Sequence, residues 1–123
     1  MNVSELESAV RRVVRDTPVI DIHTHLYEPA FGDLLLWGID ELLTYHYLIA
    51  EVMRVADVSY DAFWNLSKSE QADLIWRELF LERSPVSEAC RGVLTVLHAL
   101  GLDTSTRDLE AYRSHFRSLK VED

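Results

Sequence analysis

Pro18-Val19-Ile20-Asp21-Ile22-His23-Thr24-His25-Leu26 is an apolar run that ends in two histidines one residue apart. In an extended strand successive side chains point to opposite faces, so His23 and His25 share one face about 6.5 Å apart while Thr24 looks the other way. Two neutral imidazoles at that spacing can converge on one divalent cation, and zinc, iron, manganese and nickel all accept such donors. Asp21 precedes them on the same face, as a third oxygen ligand or as an acceptor for an imidazole N–H. The alternative is a packed strand whose histidines only hydrogen-bond to their neighbours. The run alone does not separate the two.

Outward from it the chain reads as helices. Upstream, Ser4-Glu5-Leu6-Glu7 has the form of a capping box, and Leu6, Val10, Val13 and Val14 recur at helical spacing. A helix is expected from Glu5 to Arg15, stopped by Asp16-Thr17-Pro18 because the residue before proline avoids the helical region. Downstream, Tyr27 to Asp33 carries proline and glycine and reads as a loop. After Gly38, Asp40 is placed to cap a helix with an apolar stripe of Leu42, Leu43, Ile49, Val52, Met53 and Ala56. His46 and Tyr47 fall on that helix about 100° apart around its axis, so only one of them is expected to face the core.

Ser59 opens a short helix through Phe63 and Trp64, and Ser67-Lys68-Ser69-Glu70 is a second capping box opening a helix to Glu82. On it Leu74, Ile75, Leu79 and Phe80 are expected to face inward, with Trp76 on the margin. Ser84-Pro85 reads as a cap followed by proline at the first helical position of a helix carrying Ala89, Val93, Val96, Leu97 and Leu100, closed by Gly101. The last helix is expected from Thr106 to Leu119, with Leu109, Tyr112, Phe116 and Leu119 at spacings of three and four. So many stripes must pack on each other, which predicts a mainly α protein, a helical bundle with one short strand. Phe63, Trp64, Trp76 and Phe80 read as core, His98 and His115 as structural, and Glu78, Glu82 and Arg83 as a solvated face.

The 123 residues give room for one modest core, against roughly 250 for a complete (β/α)8 barrel. A net charge of −9 argues against nucleic acid and against an anionic membrane surface as partners. Cys90 is the single cysteine, so no internal disulfide forms, and its place within a helix suits a small packed side chain rather than a nucleophile. No run reaches the ~20 apolar residues of a membrane span, and no basic-then-apolar leader opens the chain. A cytoplasmic location is expected.

The run from Pro18 to His25 resembles the first barrel strand of the amidohydrolase superfamily. The residues beyond it are similar to a narrower group, the uronate (glucuronate) isomerases: Leu35-Leu36-Trp37-Gly38-Ile39-Asp40-Glu41-Leu42-Leu43-Thr44-Tyr45-His46-Tyr47-Leu48-Ile49-Ala50-Glu51, then Phe63-Trp64 and Ala72 to Phe80. The resemblance implies residues 1–32 as an amino-terminal helix plus first barrel strand, and 33–123 as a helical insertion whose His46-Tyr47 pair reaches the active site. It also implies that the strand belongs to a (β/α)8 barrel in longer members, with a further metal ligand, a catalytic aspartate and arginines outside these residues.

On that resemblance the chain is expected to be the amino-terminal part of an enzyme that converts glucuronate or galacturonate to the keto-uronate in sugar-acid catabolism, inactive as an isolated segment. His23 and His25 would hold a divalent metal, zinc foremost, with the isolated segment binding it weakly or not at all. His46 and Tyr47 would polarise the substrate and relay a proton. The competing readings are a metal-dependent hydrolase of the same superfamily and a non-catalytic helical interaction module. A lone strand has unpaired edges, so a homo-oligomer through residues 18–26 is a further expectation.

Overall fold

The structure, a computed structural model, describes residues 2–20, 22 and 38–119. Helix α1 spans Val3–Asp16. Its cap is Asn2 rather than Ser4: the Asn2 side chain accepts from the Glu5 backbone N–H while the Glu5 carboxylate accepts from the Asn2 N–H, a capping box two residues earlier than the sequence suggests. Starting there gives the helix the first turn that Ser4 would have left out. Val19 and Ile20 follow it fully exposed, and no strand is present among the described residues. The strand expected at 18–26, and the boundary expected between 32 and 33, lie largely or wholly outside the described residues.

From Gly38 onward the chain is a helical bundle: α2 (Ile39–Leu43), α3 (His46–Val55), α4 (Tyr60–Trp64), α5 (Lys68–Trp76, continued by a π-helical turn over Arg77–Leu81), α6 (Glu88–Ala99) and α7 (Leu109–Ser118). Gly38, not Asp40, stands before α2. Its φ of +135° suits glycine, and a Cβ there would collide with the Glu41 carboxylate. The single long helix expected after it is broken at Thr44–Tyr45, where the Thr44 hydroxyl turns back onto the Asp40 carbonyl (2.7 Å). Ser59 and Ser67 cap α4 and α5 as the sequence predicts. The cap of α6 is Ser87 instead of Ser84, and α7 begins after its cap Asp108 rather than at Thr106, which shortens both helices.

The core runs along α5. Ala72, Ile75, Trp76, Leu79 and Phe80 meet Ile39 and Leu43 of α2, Leu48 and Val52 of α3, Phe63 of α4, Cys90, Val93 and Leu97 of α6 and Tyr112 of α7. Trp76 is therefore central rather than marginal. The π-helical turn, closed by the Glu82 N–H donating to the Arg77 carbonyl (2.9 Å), widens the helix just after it. Trp64 is half exposed with its ring edge-on to Phe63, and Val96 and Leu100 also lie outside the core.

Gln71 is a buried polar side chain, and its amide donates to the Phe63 and Leu66 carbonyls at the end of α4 (3.2 and 3.3 Å). Arg113 joins three helices by pairing with Asp40 (2.8 Å), Asp73 (2.7 Å) and Glu110 (2.6 Å). Burial works against its charge, but the carboxylates of Glu110, Asp40 and Asp73 outweigh it and hold the guanidinium pKa above its usual value. Glu78, read as solvated, is mostly covered: Arg83 donates to its carboxylate (2.7 Å) and reaches the Val55 carbonyl at the end of α3 (3.1 Å).

Candidate functional site

His23 and His25, with Asp21, lie outside the described residues. His46 and Tyr47 are the first two residues of α3. The core face of that helix is set by Leu48 and Val52, one turn apart. At about 100° per residue, positions 46 and 47 both point away from that face, so neither faces the core as one of them was expected to. Tyr47 is 60% exposed.

The two rings are not independent. The His46 imidazole sits between two phenols, with centroid distances of 4.3 Å to Tyr45 and 4.1 Å to Tyr47, and the tyrosines are 5.7 Å apart. Three tilted rings at the mouth of one helix hold each other's orientation without any burial in the core. Among the described residues the Tyr47 hydroxyl makes no hydrogen bond, which leaves it able both to donate and to accept toward something outside the bundle.

Below Tyr47 a half-open cavity of about 630 Å³ runs between α3 and α6, lined by Tyr47, Ala50, Glu51, Arg54, Glu88 and Ala89. Tyr47, Glu51 and Arg54 recur at spacings of four and three on α3, so they form a ridge along one wall. Glu51 anchors that wall to α6: its carboxylate accepts from the Ser87 hydroxyl (2.8 Å) and lies 3.7 Å from the Cys90 sulfur. Burial pushes the Cys90 thiol pKa up, with the Glu51 carboxylate adding to the effect and the Ser87 contact opposing it. The cysteine is thus a packed thiol, as its position in a helix suggests.

Arg54 lines this cavity and is a residue that the sequence reading did not single out. It makes no ion pair among the described residues, and its signal is a cation seven residues beyond Tyr47 on one helix face. No cluster of three or more His, Cys, Asp or Glu is placed to hold a metal among the described residues. No helix among them is long and apolar enough to cross a membrane.

No family model matches the chain, and a search of curated proteins finds no match. Among solved structures, the crystal structure of a uronate isomerase from Bacillus halodurans C-125 is similar, with a TM-score of 0.85 and 62% identity. The similarity covers 99% of this chain and 29% of that one, so this chain spans less than a third of the length of the enzyme it resembles. Identity at that level across nearly every residue goes well beyond a shared helical architecture: the chain is similar to one stretch, under a third, of a uronate isomerase.

Proposed function

We propose that this chain contributes His23, His25, His46 and Tyr47 to the active site of an enzyme that interconverts the aldose and ketose forms of a uronate such as glucuronate or galacturonate. The observation that carries the reading is the 62% identity extending over 99% of the chain, because such an extent takes in the positions of both His23–His25 and His46–Tyr47. In this reading His23 and His25 end the first strand of a barrel of the amidohydrolase type, and the bundle is the insertion that leans over its mouth.

Two imidazoles at alternate positions fit a divalent cation by donor chemistry, zinc foremost, and the remaining donors come from outside the described residues. When bound, the metal supplies Lewis-acid stabilisation of the negative charge that builds on the substrate oxygens. The reaction moves a proton from the carbon beside a carbonyl to the carbonyl carbon through a cis-enediol, and two oxygens exchange a proton on the way. Tyr47 suits that exchange because its hydroxyl is free to donate to one oxygen and accept from the other. His46, held against the Tyr47 ring, orients it and offers a hydrogen bond to the substrate.

A uronate is an anion and the chain carries −9, so the site needs local cations. Arg54 is one, but Glu51 and Glu88 line the same cavity, and the balance has to be tipped by cations from the part of the enzyme that this chain does not span.

A chimera with residues 1–123 in place of the matching stretch of the Bacillus halodurans enzyme tests the assignment. Tyr47→Phe is expected to lower kcat on glucuronate by roughly 10²–10⁴-fold with an unchanged unfolding midpoint, since the hydroxyl holds nothing together within the bundle. A Tyr47→Phe chimera that turns over glucuronate at the parental rate rules out the role.

A further inference from the structure

Arg54 is an exposed cation at the wall of the α3–α6 cavity, and its guanidinium has no hydrogen bond or ion pair among the described residues. Arginines at other cavity walls are engaged: Arg77, Arg83, Arg113 and Arg117 with carboxylates, and Arg107 with the Phe80 carbonyl (3.0 Å). The acid three residues earlier on its own helix, Glu51, is taken up by the Ser87 hydroxyl (2.8 Å). Seven residues advance a helix by about 10 Å and turn it through about 700°, so Arg54 lies on the face of Tyr47, two turns on. Long helical side chains lean back toward the helix start, which brings the guanidinium toward the phenol. An open-chain uronate has five carbon–carbon bonds of about 1.5 Å between its carbonyl carbon and its carboxylate, or about 6 Å when extended. With a charge-assisted hydrogen bond of about 2.8 Å at one end and a hydroxyl contact at the other, it fills the interval between the two side chains.

We propose that Arg54 receives the carboxylate of the substrate, so that the ridge from Tyr47 to Arg54 fixes which end of a uronate meets the Tyr47 hydroxyl. The inference rests on the functional reading above and adds to it the residue that orients and selects the acid. The polarity of the ridge comes from the carboxylates beside it. Glu51 lies between Tyr47 and Arg54 on α3, and Glu88 lines the cavity from the first turn of α6. Both can accept from the substrate's hydroxyls and both repel its carboxylate, which leaves Arg54 as the place for that group among the residues lining the cavity. The planar guanidinium presents its donors as a fork that matches the two oxygens of a carboxylate. A neutral sugar of the same size gains no such pairing, and a uronate turned end for end carries its charge away from the cation.

The test follows glucuronate and glucuronamide, its uncharged amide of the same shape, on the chimera by turnover and by calorimetric binding. Arg54→Gln is expected to raise KM and Kd for glucuronate by roughly 10–100-fold while kcat stays within about threefold, with Kd for glucuronamide and the unfolding midpoint unchanged. Arg54→Lys, which keeps the charge but not the fork, is expected to fall between the two. A parental KM and Kd in Arg54→Gln, an equal loss for glucuronamide, or a drop in the unfolding midpoint that accompanies the loss would each overturn the proposal, the last by making Arg54 a structural residue. A chimera that does not fold, or that does not bind glucuronate, overturns it too. The two readings fail separately. Turnover that depends on Tyr47 but not on Arg54 defeats this inference alone, and glucuronate binding that depends on Arg54 without any turnover defeats the functional reading alone.

Discussion

Trp76 is 3% exposed and its indole is fixed on three sides. Phe80 stacks on it at 4.5 Å, Tyr112 meets it edge-on at 5.6 Å, and its N–H donates to the Arg107 carbonyl (3.1 Å). Arg107 in turn donates to the Phe80 carbonyl (3.0 Å) and holds a left-handed φ of 53°, a conformation an arginine adopts only when its surroundings enforce it. Trp76→Ala is therefore expected to cost about 3–5 kcal/mol, read as a shift in the urea unfolding midpoint. A loss below about 1 kcal/mol would show that the joint is not where the core closes. None of this is visible along the helix. The periodic stripe puts Trp76 at the margin because its acceptor lies 31 residues away and the π-helical turn leaves no local mark. His46 and Tyr47 are legible as a pair on α3, but their tilted ring contacts with Tyr45 depend on a helix start that the apolar pattern runs straight through.

Helix starts are legible where a serine and a glutamate answer each other. At Ser67 the hydroxyl accepts from the Glu70 N–H (3.3 Å), while the Glu70 carboxylate accepts from the Ser67 N–H (2.8 Å) and hydroxyl (2.6 Å). They mislead where several candidates stand close together, as with Asn2 and Ser4 or Ser84 and Ser87, since each has a side chain able to cap and the residue types alone do not choose between them. Ser67→Ala is expected to destabilise the bundle by about 1 kcal/mol in urea unfolding at pH 7, and Ser4→Ala to change little. The same pair of variants reports on charge. The Ser67 hydroxyl, then its N–H, hold the Glu70 carboxyl below its ordinary 4.5. A folded-state pKa below the unfolded one gives stability that is present above about 4.5 and lost as pH falls through the folded value. The cost of Ser67→Ala should accordingly shrink on acidification below about pH 4.5, and a cost that grows there would contradict the capping box.

At the scale of the molecule, the bundle supplies a rigid frame tied by Arg113 across α2, α5 and α7 and by Glu51 across α3 and α6. Onto it the chain mounts an exposed ring cluster and, ahead of it, the helix α1, whose apolar side chains are exposed. Both unfinished surfaces make sense in a protein of which the described residues are one part. The helical class is legible because capped apolar stripes repeat along the sequence. The proposed metal-binding half of the site is legible only as a spacing, His23-Thr24-His25, whose geometry in that proposal would be set by neighbouring barrel strands outside the described residues. Glucuronate turnover by the chimera, measured with and without His23→Ala, is the most direct test that the chain forms part of a uronate isomerase active site. The expected result is isomerisation by the parent and its loss in the variant, with the isolated 123-residue chain inactive; full activity in the His23→Ala chimera, or a folded parent chimera with none, would contradict it.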